Sequence, residues 1–243
     1  MDRIGLIGGV SWVSTMEYYK RVNTFVQEHG KDLESADLVL ISLNFSEILK
    51  AQKDGDSETE LKILTRAAIQ LEEIGVKKIL ICSNTTSNMC DRLAEKLGVP
   101  VINIIDATTN KILSKGITRV GLIGTKYVME KEFYRNRLEE KGITVIVPKQ
   151  RTRDAIHNCI YKDLCHNVIS NLSRGIMYRG IDELAEAGVN AVILGCTEIP
   201  LVVNELIYQG GVYIVDSIDA HLEAVFPTYT RDAIVNINKE KMN

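Results

Sequence analysis

The strongest constraint on this chain is that it states its pattern twice. "RIGLIG" at 3–8 returns as "RVGLIG" at 119–124, and "EIGVKKILICSN" at 73–84 lies without gaps over "EAGVNAVILGCT" at 186–197. In that overlay Gly75 meets Gly188, Val76 meets Val189, and Ser83 meets Cys196. "INIIDATT" (102–109) similarly matches "VYIVDSID" (212–219), placing Asp106 and Asp216 at corresponding strand-to-helix turns. Apolar, β-branched runs predict strands at 3–8, 36–42, 77–82 and 99–105, and again at 119–124, 143–148, 190–195 and 211–216. Between the first four, amphipathic stretches predict helices at 15–29, 57–74 and 86–97. Strands alternating with helices argue for parallel sheet with helices on its faces. Self-similarity of this kind argues for an internal duplication. The expectation is an α/β protein of two pseudo-symmetric lobes. Each holds a four-stranded, mainly parallel sheet flanked by helices, and a cleft lies between them. The expected boundaries are 1–98 plus 211–243 for the first lobe and 99–210 for the second.

Composition narrows the partners. With a net charge of −3 and 25% charged residues, the chain has no basic excess of the kind that binds nucleic acid or anionic membranes. No apolar run approaches the roughly 20 residues that span a bilayer. The opening "MDRIGLIGGV" is too brief and wrongly flanked for a secretory signal, so a cytoplasmic location is expected. The five cysteines, 82, 90, 159, 165 and 196, lack framework spacing and read as reduced thiols.

Ligands of parallel sheets bind beyond the carboxyl ends of the strands. The segments there are "GGVSW" (8–12), "SNTT" (83–86), "GTKY" (124–127), "CTE" (196–198) and "DSIDAH" (216–221). Helix N-termini that follow such tips offer backbone N–H groups to an anion such as a substrate carboxylate. "GLIGG" lacks the G-x-G-x-x-G order of a dinucleotide fingerprint, so its glycines are read as letting the backbone turn close to a small ligand. Cys196 follows Gly195, is crowded by Thr197 and Glu198, and precedes a predicted helix near Pro200. A helix N-terminus there would lower the thiol from its ordinary value near 8.5 toward a usable base. His157, Cys159, Cys165 and His166 read as one helix whose spacing matches no standard metal site, and no metal is expected.

At "GGVSWVST", "SNT" and "GCTEIPLV" the sequence resembles the aspartate/glutamate racemase family, with further likeness in "VGLIGTKYVMEKEFYRNRL" (120–138) and the closing "DSIDAH". It is most similar to a branch that begins G-G-x-S-W-x-S-T. The resemblance implies two pseudo-symmetric α/β lobes, no cofactor, a small amino-acid substrate and two-base acid–base chemistry. In that chemistry one cysteine per lobe stands on each face of the substrate Cα. The family's C-N-T falls on Ser83-Asn84-Thr85 and its G-C-T-E on Gly195-Cys196-Thr197-Glu198. The first cysteine is thus replaced by serine. Strand alternation sends the neighbouring Cys82 to the opposite face.

By resemblance, Cys196 is the acid/base on one face and Ser83 the hydroxyl on the other. Asn84, Thr85, Thr125 and Thr197 hold the α-carboxylate and amino group, and Ser11 and Gln52 stand toward the far end of the substrate. Glu198 or His221 tunes Cys196, and Asp216 caps its helix. The arginine and lysine that bind a side-chain carboxylate in aspartate racemases have no match; the corresponding regions read "SLNFSEI" (42–48) and "YKDLC" (161–165). The family's histidine three residues after Asn-Thr is replaced by Ser87. The substrate therefore stays open between acidic and neutral amino acids. The same constellation also suits an isomerase or lyase working through the same carbanion, or an amino-acid-binding homologue without turnover. The resemblance allows a homodimer, for which the sequence offers no decisive patch.

Overall fold

The computed structural model describes residues 2–31, 33–226 and 228. The last part of the expected first lobe, residues 227 and 229–243, lies outside the described residues. The first half runs β1 (Ile4–Gly8), α1 (Trp12–His29), β2 (Leu38–Ser42), α2 (Phe45–Asp54), α3 (Ser57–Glu73), β3 (Lys78–Ile81), α4 (Cys90–Ala94), β4 (Val101–Ile102) and α5 (Ile104–Ser114). The second runs β5 (Arg119–Ile123), α6 (Lys126–Glu130), α7 (Glu132–Glu139), β6 (Thr144–Ile146), α8 (Gln150–Lys162), α9 (Asn171–Glu186), β7 (Ala191–Leu194), β8 (Ile207–Tyr208), β9 (Val212–Asp216) and α10 (Ser217–Glu223).

Two sheets form. The first has the order β2-β1-β3-β4 and is parallel throughout. The second, β6-β5-β7-β9-β8, repeats that order and adds β8 antiparallel to β9. The second sheet thus has one strand more than expected, supplied by a short hairpin. The duplication holds at residue level. α3 ends at Glu73 and α9 at Glu186; Gly75 and Gly188 both follow with positive φ, +88° and +75°. That left-handed turn is open to glycine without steric cost, and β3 and β7 then start at overlaid positions. The strands read as continuous apolar runs because helices cover both faces. Ile79, Leu80 and Ile81 are all buried, as are Val192, Ile193 and Leu194.

The segment 99–105 departs from expectation. Only Val101–Ile102 is strand, because the Asn103 side chain accepts from the Ile105 N–H and starts α5, as an N-cap does. Asp106 therefore lies inside α5 and pairs with Arg137, whereas Asp216 is a true cap, accepting from the N–H groups of Ile218 and Asp219. The lobe boundaries shift accordingly. β4 completes the first sheet and β9 the second, since each strand finishes its own sheet before the chain crosses over. The helices do cross: Ile104, Ile105 and Ile112 of α5 pack in the second lobe's core with Val120 and Leu122. Ile218 and Leu222 of α10 pack in the first lobe's core with Leu6, Tyr18 and Leu80. Among the described residues no helix is long and apolar enough to cross a membrane.

Candidate active site

The carboxyl ends of β1, β3, β5 and β7 meet around a narrow cavity of about 30 Å³, lined by Ser11, Gln52, Ser83, Asn84, Thr85 and Thr125. Gly195, Cys196, Thr197 and Glu198 complete its polar wall. That volume holds roughly one water molecule, so the lobes are closed on each other. Ser83 and Cys196, the overlaid pair, both reach it from the ends of equivalent strands. Cys82 packs instead in the first lobe's core, and burial pushes its thiol up, as strand alternation requires.

Cys196 is built into a carboxylate network. Its Sγ–H donates to Glu198 Oε2 at 2.9 Å, Thr197 Oγ1 donates to the same oxygen at 3.2 Å, and Ser11 Oγ donates to Glu198 Oε1 at 2.7 Å. Ser11 occupies the N-cap position of α1 yet makes no side-chain cap bond there; its hydroxyl crosses to the other lobe instead. Gly195 is required by close packing: a Cβ there would sit 2.8 Å from Leu122 Cδ1 and 3.1 Å from the Ile123 carbonyl oxygen.

The expected activation of Cys196 by a following helix is overturned. Only a 3-10 turn, Ile199–Leu201, follows. Burial first, then the Glu198 charge and the neighbouring Cys165, push the Cys196 thiol well above its ordinary value. The thiol rests protonated, held by the carboxylate it donates to.

On the first-lobe side the groups are neutral. Ser83 Oγ lies 3.3 Å from Thr86 Oγ1 and accepts from the Thr86 N–H at 3.3 Å. Asn84 Nδ2 donates to Ser217 Oγ at 2.9 Å, and Tyr134 donates to Asn84 Oδ1 from the second lobe at 3.3 Å. Thr85 and Thr125 meet hydroxyl to hydroxyl at 3.3 Å across the lobes, and Thr125 also caps α6 by accepting from the Val128 N–H. Gln52 donates to the buried Glu60 at 2.7 Å.

His221 is not brought to the cavity. It is fully buried, its Nδ1 2.8 Å from the Tyr18 hydroxyl and its Nε2 2.8 Å from the Ile102 carbonyl oxygen. A carbonyl only accepts, so Nε2 carries the proton and Nδ1 accepts from Tyr18. Its place is beneath the sheet end, joining α10 to α1 and β4, rather than beside Cys196. Asp216 also stays away, capping α10 and pairing with Arg21 at 2.7 Å. Gly9 serves the chain itself rather than a ligand: a Cβ there would lie 2.2 Å from the Leu43 carbonyl oxygen.

Phe45, Tyr161 and Cys165 line the cavity and were not among the expected site residues. Phe45 of α2 and Tyr161 of α8 stack across the lobes, ring centroids 6.5 Å apart. Tyr161 lies at the end of α8 and Cys165 on the turn that follows it, so helical spacing gave no signal for the pair. His157 and Cys159 lie on α8, but Cys165 and His166 lie on a separate turn, Leu164–His166. Among the described residues no group of three or more histidine, cysteine or acidic side chains is placed to hold a metal ion.

The model of the Asp/Glu/Hydantoin racemase family matches residues 7–225. The chain belongs to the Asp/Glu/Hydantoin racemase family. Racemases are isomerases, so the chain is an enzyme family member of that class. A Yersinia pestis structure described as a candidate Asp/Glu racemase is 41% identical, with a TM-score of 0.82 over 92% of this chain and 97% of that one. An aspartate racemase homologue from Pyrococcus horikoshii is 34% identical, with a TM-score of 0.79 over 93% and 98% of the two chains. A glutamate racemase from Persephonella marina is 26% identical over 59% of this chain and 54% of its own length. The Yersinia pestis and Pyrococcus horikoshii structures share the fold described above.

Proposed function

We propose that the chain is a cofactor-independent amino-acid racemase that moves the α-proton of a free amino acid between Cys196 and Ser83. The observation that carries this reading is that Ser83 and Cys196, at overlaid positions of the repeat, line one cavity from the ends of β3 and β7. Glu198 supplies what the buried thiol lacks. The Sγ proton passes to Glu198 Oε2, the thiolate takes the substrate α-proton, and a carbanion forms. The Ser83 hydroxyl returns a proton to the opposite face and is itself reprotonated from solvent, while Glu198 releases its proton to solvent and the resting site is restored. The incoming ammonium group offsets the Glu198 charge that holds the resting thiol protonated. Asn84, Thr85, Thr125 and Thr197 supply the amide and hydroxyl groups that hold the α-carboxylate and amine.

A hydroxyl is essentially un-ionised at neutral pH, so abstraction from the Ser83 face is slow and one hand of substrate is preferred. Among the described residues no lysine or arginine lines the inner cavity, which favours a neutral side chain over a dicarboxylate. The protein is expected to act on a small molecule in the cytoplasm.

Proton NMR in D₂O with separate L- and D-amino acids, acidic and neutral, tests this, with chiral analysis of the products. Loss of the α-proton signal with inversion is expected for one preferred hand. Exchange without inversion would limit the chemistry to the Cys196 face, and new product signals would replace racemisation by elimination or isomerisation. Absence of exchange across the panel would refute the reading.

A further inference from the structure

Beside the catalytic cavity, at the mouth between the lobes, lies an open pocket of about 500 Å³. This is within the size range of small-molecule sites. Its walls are the Leu49 side chain and the rings of Tyr127, Tyr161 and His157. Its rim carries Lys53 from α2, Lys126 from α6, and Lys131 from the junction of α6 and α7. Lys126 is paired with Asp154, and the one acidic group on the rim, Glu130, is paired with Arg153 at 2.9 Å. Among the described residues Lys53 and Lys131 have no ion-pair partner. Two uncompensated cations from opposite lobes thus face an apolar, aromatic floor. Among the described residues the inner cavity, by contrast, is lined by a carboxylate and no cation.

We propose that this interlobe pocket binds an organic anion, an apolar or aromatic body bearing a carboxylate or phosphate. The body lies on Leu49, Tyr127 and Tyr161, and the charge is met by Lys53 and Lys131. Desolvated aromatic floors with few placed charges are what such ligands select. Because α2 belongs to one lobe and α6 and α8 to the other, the occupant bridges the closed lobes. Gln52 and Tyr161 line both this pocket and the inner cavity, so an occupant touches the same two side chains that wall the substrate. The chemistry has two sources: a separate effector, or the far end of a longer amino-acid substrate reaching past Gln52.

Calorimetric titration of the full chain with phenyl phosphate tests the proposal, with phenethylamine as the oppositely charged control. Saturable one-to-one binding of phenyl phosphate is expected, with none for phenethylamine. The double variant Lys53→Ala, Lys131→Ala should weaken the Kd at least about 10-fold, the loss of charge-assisted contacts, while the Lys53→Arg, Lys131→Arg pair keeps it within about 3-fold. Both side chains are exposed, and unchanged thermal unfolding confirms that the variants fold. Equal affinity in the alanine variant, equal binding of phenethylamine, or no saturable binding of phenyl phosphate would overturn the proposal. Repeating the titration with the exchanging amino acid present separates the sources. An unchanged Kd identifies a separate effector site, and competition identifies the substrate's own far end.

Discussion

The tips of β3 and β7 descend from one repeated unit, yet their chemistry has diverged. At the β7 tip a thiol, two hydroxyls and a buried carboxylate form one network around Cys196 and Glu198. At the β3 tip the Ser83 hydroxyl meets, among the described residues, a hydroxyl and a backbone amide and no charged side chain. The residue one step earlier differs too. Cys82 fills core volume, while Gly195 leaves room that Leu122 already occupies. A duplicated scaffold keeps two side chains at matching positions while letting their surroundings diverge. On the proposed reading, one face is equipped to take a proton and the other only to give one.

That asymmetry can be broken most severely at its strong end. Cys196→Ala should lower α-proton exchange by about 10³-fold or more, the scale of a lost acid–base group, as read by deuterium incorporation. Ser83→Ala should retain exchange from the Cys196 face while losing inversion. Retained full activity in Cys196→Ala would remove the thiol from the mechanism.

Glu198→Gln should lower turnover by about 10- to 100-fold, because the thiol loses its proton acceptor. The same change should move thiol ionisation to lower pH, since the Glu198 charge and hydrogen bond both raise it. In the wild type the thiolate fraction climbs about tenfold per pH unit below the thiol's pKa, so exchange from the Cys196 face should still be rising at pH 9. Thiolate absorbance, taken as a difference from Cys196→Ala, checks both statements. A rate that levels off near pH 7 would contradict the protonated resting thiol.

Ser83→Cys would sharpen the comparison by restoring symmetry. Exchange of the disfavoured hand should rise on the order of 10-fold; no change would count against the opposed-face geometry.

The smallest effect concerns stability. Burial depresses His221 from an ordinary value near 6.5 to about 4. The unfolded chain binds that proton first, so stability falls as pH drops through this window, by roughly 1.4 kcal/mol per unit at most. Urea unfolding between pH 7 and 5 should show this slope, and His221→Gln should flatten it. An identical slope in the variant would assign the acid limb to other groups.

The repeat made the strand–helix alternation and the overlay of Ser83 on Cys196 legible before any coordinates, because a gapless overlay leaves little freedom, but not which strand completes which sheet. What depends on local capping or on contacts between lobes was hidden. Asn103 looks like one more strand residue until its side chain is seen accepting from Ile105. Proximity of Cys196 to a helix start suggested an acidic thiol, but the turn is short and the nearest charge is negative. His221 sits in a polar motif near the chain's end, and only the path of α10 reveals that it turns inward to Tyr18. Phe45 and Tyr161 come from different lobes, so no local pattern joins them.

The crossing of α5 and α10 has a consequence for how such a protein could arise and be taken apart. Each half of the duplication exports the helix that follows its last parallel strand into the other half's core. Two separate copies of the ancestral unit would have had to trade those helices, as in a domain-swapped dimer. In a single chain that trade is held by the covalent link between the halves. Polypeptides severed after Gly116 should therefore be recovered as a reassembled pair, since neither fragment carries the helix that closes its own core.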